Sequence, residues 1–315
     1  MNLSINPSYL CNFRCKFCYL GDKLSDPRRI SISRLDELVS NVAAIESIDY
    51  VDFYGGELAI LPDNYLSALV QTVEKYYSGP ISVITNLSAI RPIFTRDNVI
   101  LSVSYDFDAR EKHELVFQNI MRFPGDIHIL VLAGPDLVYR TQDQVDGMIY
   151  HLSTATNIKT VEIKPYSTNQ YNSHGVTFTD YEEFVKKWLV SGVPHKFEFM
   201  NKRHIELCLA GQINAFSDHH IYITPNGKYG VLEFDLNDNE YFLELDTIDQ
   251  YRSWASTEKQ RVHLNKFCAT CPYLGHCLSE HLRDVKNLDH SCNGFRHLLD
   301  WYKYERMENK PTNIS

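Results

Sequence analysis

Strand-like and helix-like segments alternate through the first 195 residues, and no other feature of the chain limits its possible folds as sharply. "LSINPSYL" reads as a short first strand. Residues 31–46 carry Ile32, Leu35, Leu38, Val39, Val42 and Ile45 on one helical face, with Ser31 or Ser33 as N-cap. "YVDFYGG" is a strand running into a glycine turn, and "DNYLSALVQTVEKYY" is helical. Strands follow at "ISVIT", "VILSVSYD", "IHILVLA" and "TVEIKPY", with helices at "EKHELVFQNIMRF", "QDQVDGMIYHLSTA" and "DYEEFVKKWLVSG". About six strand–helix units in this length predict an α/β fold, a parallel sheet with helices outside it. After residue 195 the rhythm changes. "HIYITPNGKYGVLEF" predicts a β-hairpin turning at Pro225-Asn226-Gly227-Lys228. A cysteine-rich stretch then runs from 268 to 292, followed by a helix at "FRHLLDWYKYERM". The expected division is 1–195 and 196–315.

The chain has 315 residues, enough for a large α/β domain with a smaller module. Its net charge is −9 and it has no dense Lys/Arg run. Neither a nucleic-acid footprint nor an anionic membrane partner is therefore expected, because both depend on clustered cations. No apolar run approaches the ~18–20 residues of a spanning helix, and the N-terminus lacks a secretory signal. A cytoplasmic location follows, where thiols stay reduced. The eight cysteines, most of them at short spacings, then point to metal or cluster ligands rather than disulfides.

Cys11, Cys15 and Cys18 form C-x3-C-x2-C directly after the first strand. Three thiolates at this spacing can hold three irons of one [4Fe–4S] cube and leave the fourth iron open, an arrangement of the catalytic kind. A zinc knuckle with a distant fourth ligand is the alternative. "FYGGELAIL" ends the second strand in Gly55-Gly56-Glu57, where the glycines permit close backbone approach and the carboxylate can accept from an ammonium. Later strand ends add Thr85, Asn86, Ser104, Asp106 and Lys164; such ends face the active site of an α/β barrel.

This loop, placed ahead of repeating βα units, resembles the radical S-adenosylmethionine superfamily. The resemblance implies a partial (βα)6 TIM-like barrel. It also implies a [4Fe–4S] cluster on Cys11, Cys15 and Cys18 whose open iron binds S-adenosylmethionine. Phe17 fits the aromatic that the family places before its third cysteine, and Tyr19 follows it. Gly55, Gly56 and Glu57 look like the family's GGE motif, which engages the methionine amino group, although Leu58 stands where proline is usual. Asn86 and Ser104 would lie near the ribose or the methionine carboxylate.

Cys268, Cys271 and Cys277 form C-x2-C-x5-C, with Cys292 fifteen residues on. A zinc ribbon has similar spacing. In this context the set resembles the SPASM extension of radical enzymes, a cysteine-rich module with a β-hairpin and a C-terminal helix. Two of that extension's cysteine positions are occupied here by Leu232 and His281. One auxiliary [4Fe–4S] cluster is therefore expected, on Cys268, Cys271, Cys277 and Cys292. Cys208 stands apart as a buried apolar residue, a remnant ligand together with His281, or a hydrogen-atom donor to a substrate radical. His219 and His220 would point to opposite faces of a strand.

The resemblance implies reductive cleavage of S-adenosylmethionine to a 5′-deoxyadenosyl radical and hydrogen abstraction from a residue of a ribosomally made peptide. The outcome would be a cross-link, an oxidation or an epimerisation. The alternative substrate is a small carbohydrate-like molecule such as an aminoglycoside or cyclitol. A flavodoxin or ferredoxin would supply electrons. The barrel begins within ten residues of Met1, so a separate protein or the barrel surface is expected to recognise a leader. A non-enzymatic zinc-binding interaction protein is the remaining reading.

Overall fold

The computed structural model describes residues 1–166, 175–216, 218–232, 242–277, 292 and 295–308, without the side chains of Leu232 and 306–308. Within them, strands β1 (Asn2–Ile5), β2 (Tyr50–Phe53), β3 (Ile81–Thr85), β4 (Val99–Ser104), β5 (Ile127–Ala133) and β6 (Ile158–Pro165) lie side by side in chain order. Every neighbouring pair is parallel, and a short β7 (Glu198–Phe199) continues beyond β6. Helices α1 (Ile32–Ala43), α2 (Asp63–Val73), α3 (His113–Arg122), α4 (Pro135–Val138), α5 (Gln142–Ser153) and α6 (Phe178–Val190) supply the crossovers, except between β3 and β4. That link carries only a 3-10 turn at Pro92–Thr95. Ser31 is the cap of α1, accepting from the Arg34 N–H at 3.2 Å.

Strand alternation divides the sheet into two chemically different faces. The register aligns Ile5, Phe53, Val83, Leu101 and Ile127 across five strands, all buried in the main core with the helix stripes Leu35, Leu38, Val39 and Val42. Each such side chain contributes about 1.5–3 kcal/mol when fully buried. The opposite face is polar. Ser4 aligns with Asp52 and Asp52 with Ser82, while His128 Nδ1 meets Thr160 Oγ1 at 2.8 Å. A polar inner face that leads to the strand ends leaves room for a ligand there.

After β7 the described elements include α7 (Met200–Leu209), β8 (His220–Ile223), β9 (Tyr229–Leu232), β10 (Phe242–Leu245), α8 (Ile248–Leu264) and α9 (Arg296–Tyr302). The expected hairpin is present as β8 and β9, and its turn begins one residue earlier than the Pro225 start. Thr224 N–H donates to Lys228 O at 2.9 Å, and Gly227 takes φ +71° as the turn requires. The hairpin is not detached from the sheet. β8 pairs in parallel with β1, from Asn2 opposite His220 to Ile5 opposite Ile223, which makes the order β10-β9-β8-β1-β2-β3-β4-β5-β6-β7. His220 turns onto Ser4, Nε2 to Oγ 2.8 Å, whereas His219 Nδ1 meets Asn214 and Asp218. Among the described residues, no helix is long and apolar enough to cross a membrane.

α9 docks on α6, and the junction buries Glu182, which accepts from the Leu298 N–H at 3.2 Å. Burial raises its carboxyl above the usual 4.5, and that N–H only partly offsets the rise. A carboxyl raised in the folded state binds its proton more tightly there than in the unfolded chain. Its stabilising contribution is complete below about pH 4.5 and is lost as pH rises through the folded value. Glu182→Gln keeps an acceptor for Leu298 and removes the charge. We expect its Tm to exceed the wild-type Tm at pH 7 to 8 and the difference to vanish as pH falls toward 4.5, measured by thermal denaturation across pH.

Candidate functional site

The chain leaves β1 through Asn6, whose N–H bonds Ile223 O at 2.8 Å, and then runs beside the turn that follows β2. Gly56 N–H donates to Ser8 O at 3.0 Å and Glu57 N–H to Leu10 O at 2.8 Å. This close approach is what the glycine pair permits. A Cβ on Gly56 would stand 2.2 Å from Leu10 O, and one on Gly55, at φ +134°, 1.8 Å from Asn6 Oδ1. The pair therefore fixes where the cysteine loop begins.

The loop is held at several further points. Cys11 N–H donates to Leu24 O at 3.0 Å and Cys18 N–H to Cys15 O at 3.0 Å. Arg14 turns back to Cys11 O at 2.6 Å and Phe13 O at 2.8 Å, while its own N–H meets Glu111 at 2.5 Å. Cys11, Cys15 and Cys18 are free thiols that line one cavity of about 360 Å³ at the C-terminal ends of the strands. Burial pushes Cys11 up to about 11 and raises Cys15 and Cys18 as well. Three soft sulfur donors on one cavity wall are the donor set that a [4Fe–4S] cluster with one open iron takes, although among the described residues no three His, Cys, Asp or Glu side chains converge closely enough to hold a single metal ion.

The other residues singled out around the loop meet on the same cavity: Phe17 and Tyr19 from the loop, Gly55-Gly56-Glu57 from β2, Asn86 after β3, Ser104 at the end of β4 and Lys164 from β6. Glu57 is only 2% exposed and its carboxylate organises this wall. Oε1 accepts from Ala59 N–H at 2.7 Å and from the Thr85 hydroxyl, and Oε2 accepts from Asn86 N–H at 2.6 Å. Burial raises Glu57, and these three donors work against the rise. A carboxylate has about four lone-pair directions, so one remains for a ligand. Asn86 Nδ2 reaches Asn12 Oδ1 at 3.1 Å and Cys11 Sγ at 3.9 Å. Leu87 follows at φ +49°, a conformation non-glycine residues rarely adopt, and is held by its N–H to Thr85 Oγ1 and by Asn119 on its carbonyl.

No protein-family model and no curated protein sequence matches the chain. Solved structures do match. Native anSMEcpe with bound AdoMet and Cp18Cys peptide aligns at a TM-score of 0.71 and 15% identity over 98% of each chain. Native anSMEcpe with bound AdoMet gives 0.69 at 14% identity, again over 98% of both. SuiB of Streptococcus suis bound to precursor peptide SuiA gives 0.62 at 16% identity, over 90% of this chain and 72% of that one. The chain has the fold of anSMEcpe and SuiB. It is the fold that the resemblance to the radical S-adenosylmethionine superfamily anticipated.

Several cavity residues were not among the expected ones, and Arg110 is the charged one. Arg110, from the segment after β4, lines the cavity beside Cys15 and pairs with Asp106 at 2.6 Å. A charged residue beyond a strand end reads as surface until its partner is located; the Asp106/Arg110 spacing of four was the available signal.

The second cysteine set lies where α8 ends. Asn265 Oδ1 accepts from Phe267 and Cys268 N–H groups at 2.9 and 3.2 Å, and Cys271 N–H closes a turn onto Cys268 O at 3.0 Å. Burial first, then the neighbouring thiols, push Cys268 up to about 11, and burial, with Cys292 adding to it, raises Cys271. Cys277 is buried with Ala215 and Val262, and Cys268 packs on that group. Cys208, on α7, is 2% exposed and does not line the cavity. Burial pushes it up to about 12, with Cys277 close enough to add to the rise. His281 lies outside the described residues.

Proposed function

We propose that this chain is a radical S-adenosylmethionine enzyme that modifies a residue of a ribosomally made peptide. The observation that carries the reading is the meeting of three free thiols, the Gly-Gly-Glu turn and the β3 and β4 strand ends on one cavity. Cys11, Cys15 and Cys18 would hold a [4Fe–4S] cluster, which when bound would supply the electron for reductive cleavage of S-adenosylmethionine and so for hydrogen abstraction from the substrate. Glu57 offers its remaining lone pair to the methionine ammonium, with Asn86 and Ser104 beside it for ribose or carboxylate. Phe17 and Leu130 supply apolar wall that limits water near the reacting carbon.

We assign residues 196–315 to an auxiliary module, in which Cys268, Cys271, Cys277 and Cys292 would hold one further [4Fe–4S] cluster. The bound peptides of anSMEcpe and SuiB support a peptide substrate, and a flavodoxin or ferredoxin is the electron donor of this reading. Coexpression with a short peptide encoded beside the gene, followed by mass analysis, tests the substrate class. A peptide lighter by two hydrogens is expected for a cross-link or oxidation, and deuterium uptake from heavy water for an epimerisation. An unchanged, unlabelled peptide beside continued release of 5′-deoxyadenosine would remove the peptide from the reading and leave the radical chemistry standing.

A further inference from the structure

Arg110 is a charged residue that the fold nearly buries, with only 11% of its side chain exposed. Its guanidinium is held along one edge by a single carboxylate. Nε and Nη2 both reach Asp106 Oδ2, at 2.8 and 2.6 Å, and Asp106 Oδ1 is itself fixed by the Leu132 N–H at 2.5 Å. The third nitrogen is directed elsewhere. Nη1 lies 3.9 Å from Cys15 Sγ, and the guanidinium carbon sits 5.4 Å from the centre of the Phe17 ring. Burying such a pair brings little stability, since apolar replacements of buried ion pairs are often neutral or better. The geometry nevertheless holds one cation rigidly against one thiol of the loop.

We propose that Arg110 is a positioning residue that raises the reduction potential of the cluster on Cys11, Cys15 and Cys18. The inference rests on the reading of that loop as a cluster site. Reduction adds negative charge to the irons and to their thiolates. A fixed cation beside one thiolate, in a setting with little water, favours the reduced form, and hydrogen bonds to cluster sulfurs act in the same direction. Asp106 opposes it more weakly, because it pairs with Nε and Nη2 while Nη1 is the nitrogen beside Cys15. The two members of the pair should therefore shift the potential in opposite directions.

The test is an anaerobic redox titration of the reconstituted protein followed by electron paramagnetic resonance. The relevant signal is the one that changes when S-adenosylmethionine is added. Arg110→Gln is expected to lower the reduced-to-oxidised ratio at a fixed potential about tenfold, which is ~59 mV for a one-electron couple. Asp106→Asn is expected to raise that ratio, and Arg110→Lys, which keeps the charge, to stay near wild type. If Arg110→Gln does not fold, the opposite shift in Asp106→Asn and the retention in Arg110→Lys decide the matter. Equal ratios in every variant that loads a cluster, or shifts of one sign for both charges, would overturn the proposal. A wild-type protein that takes up no iron overturns the cluster reading instead, and that outcome is visible before any titration begins.

Discussion

Gly56→Ala is expected to cost the protein its first-site iron while leaving most of the βα fold in place. The added methyl would meet Leu10 O at 2.2 Å and Tyr9 O at 2.4 Å. Both are backbone atoms, so no side-chain rotation relieves the clash. The chain must separate there and give up the Gly56–Ser8 and Glu57–Leu10 hydrogen bonds, which fix the residues just ahead of Cys11. Two such bonds at about 1 kcal/mol each, with overpacking of about 1–3 kcal/mol, give a loss near 3–5 kcal/mol. Circular dichroism melts and iron analysis after anaerobic reconstitution check both parts. Gly147→Ala is the control: it lies within α5 with nothing within 4 Å of the added carbon. That change should be neutral or stabilise by about 0.5–1 kcal/mol, because alanine is the better helix former.

Removing the Glu57 carboxylate should have an effect of similar size by a different route. In Glu57→Ala the Ala59 N–H, the Asn86 N–H and the Thr85 hydroxyl all lose their acceptor inside the protein. Each buried donor left unmatched costs about 1–3 kcal/mol, and water entering from the adjacent cavity lowers the sum, so about 3 kcal/mol is expected. Glu57→Gln should lose roughly 1 kcal/mol, since one oxygen still accepts while the amide faces a donor. Urea denaturation measures both losses, and hydrogen exchange at the Asn86 amide should accelerate in both variants. A Glu57→Ala protein as stable as wild type would mean that this carboxylate does not organise the wall.

The parts of this structure that sequence made legible are those written locally. β5 carries its buried residues Ile127, Ile129, Val131 and Ala133 at every second position, and its bounds match the strand-like segment from 127 to 133. The Asn226-Gly227 pair marked the hairpin because few residues accept positive φ. The cysteine loop was legible because its three thiols lie within eight residues. Pairing across the chain was not. Nothing in "HIYI" states that it hydrogen-bonds to β1 more than two hundred residues away, since parallel partners carry no local turn. Likewise Glu57 meets Thr85 and Asn86 only once β2 and β3 are adjacent. α8 was missed for another reason. Its stripe of Ile248, Tyr251, Ala255 and Val262 is thin in a polar helix, although Thr247 and Gln250 form a capping box that marks its start.

The most direct test is iron analysis and 5′-deoxyadenosine release, compared between the reconstituted wild type and a Cys11→Ala/Cys15→Ala/Cys18→Ala variant. Two cubes predict about eight irons in the wild type and about four in the variant. With dithionite and S-adenosylmethionine, only the wild type should release 5′-deoxyadenosine. One zinc per chain with no iron, or equal release by both proteins, would contradict the account.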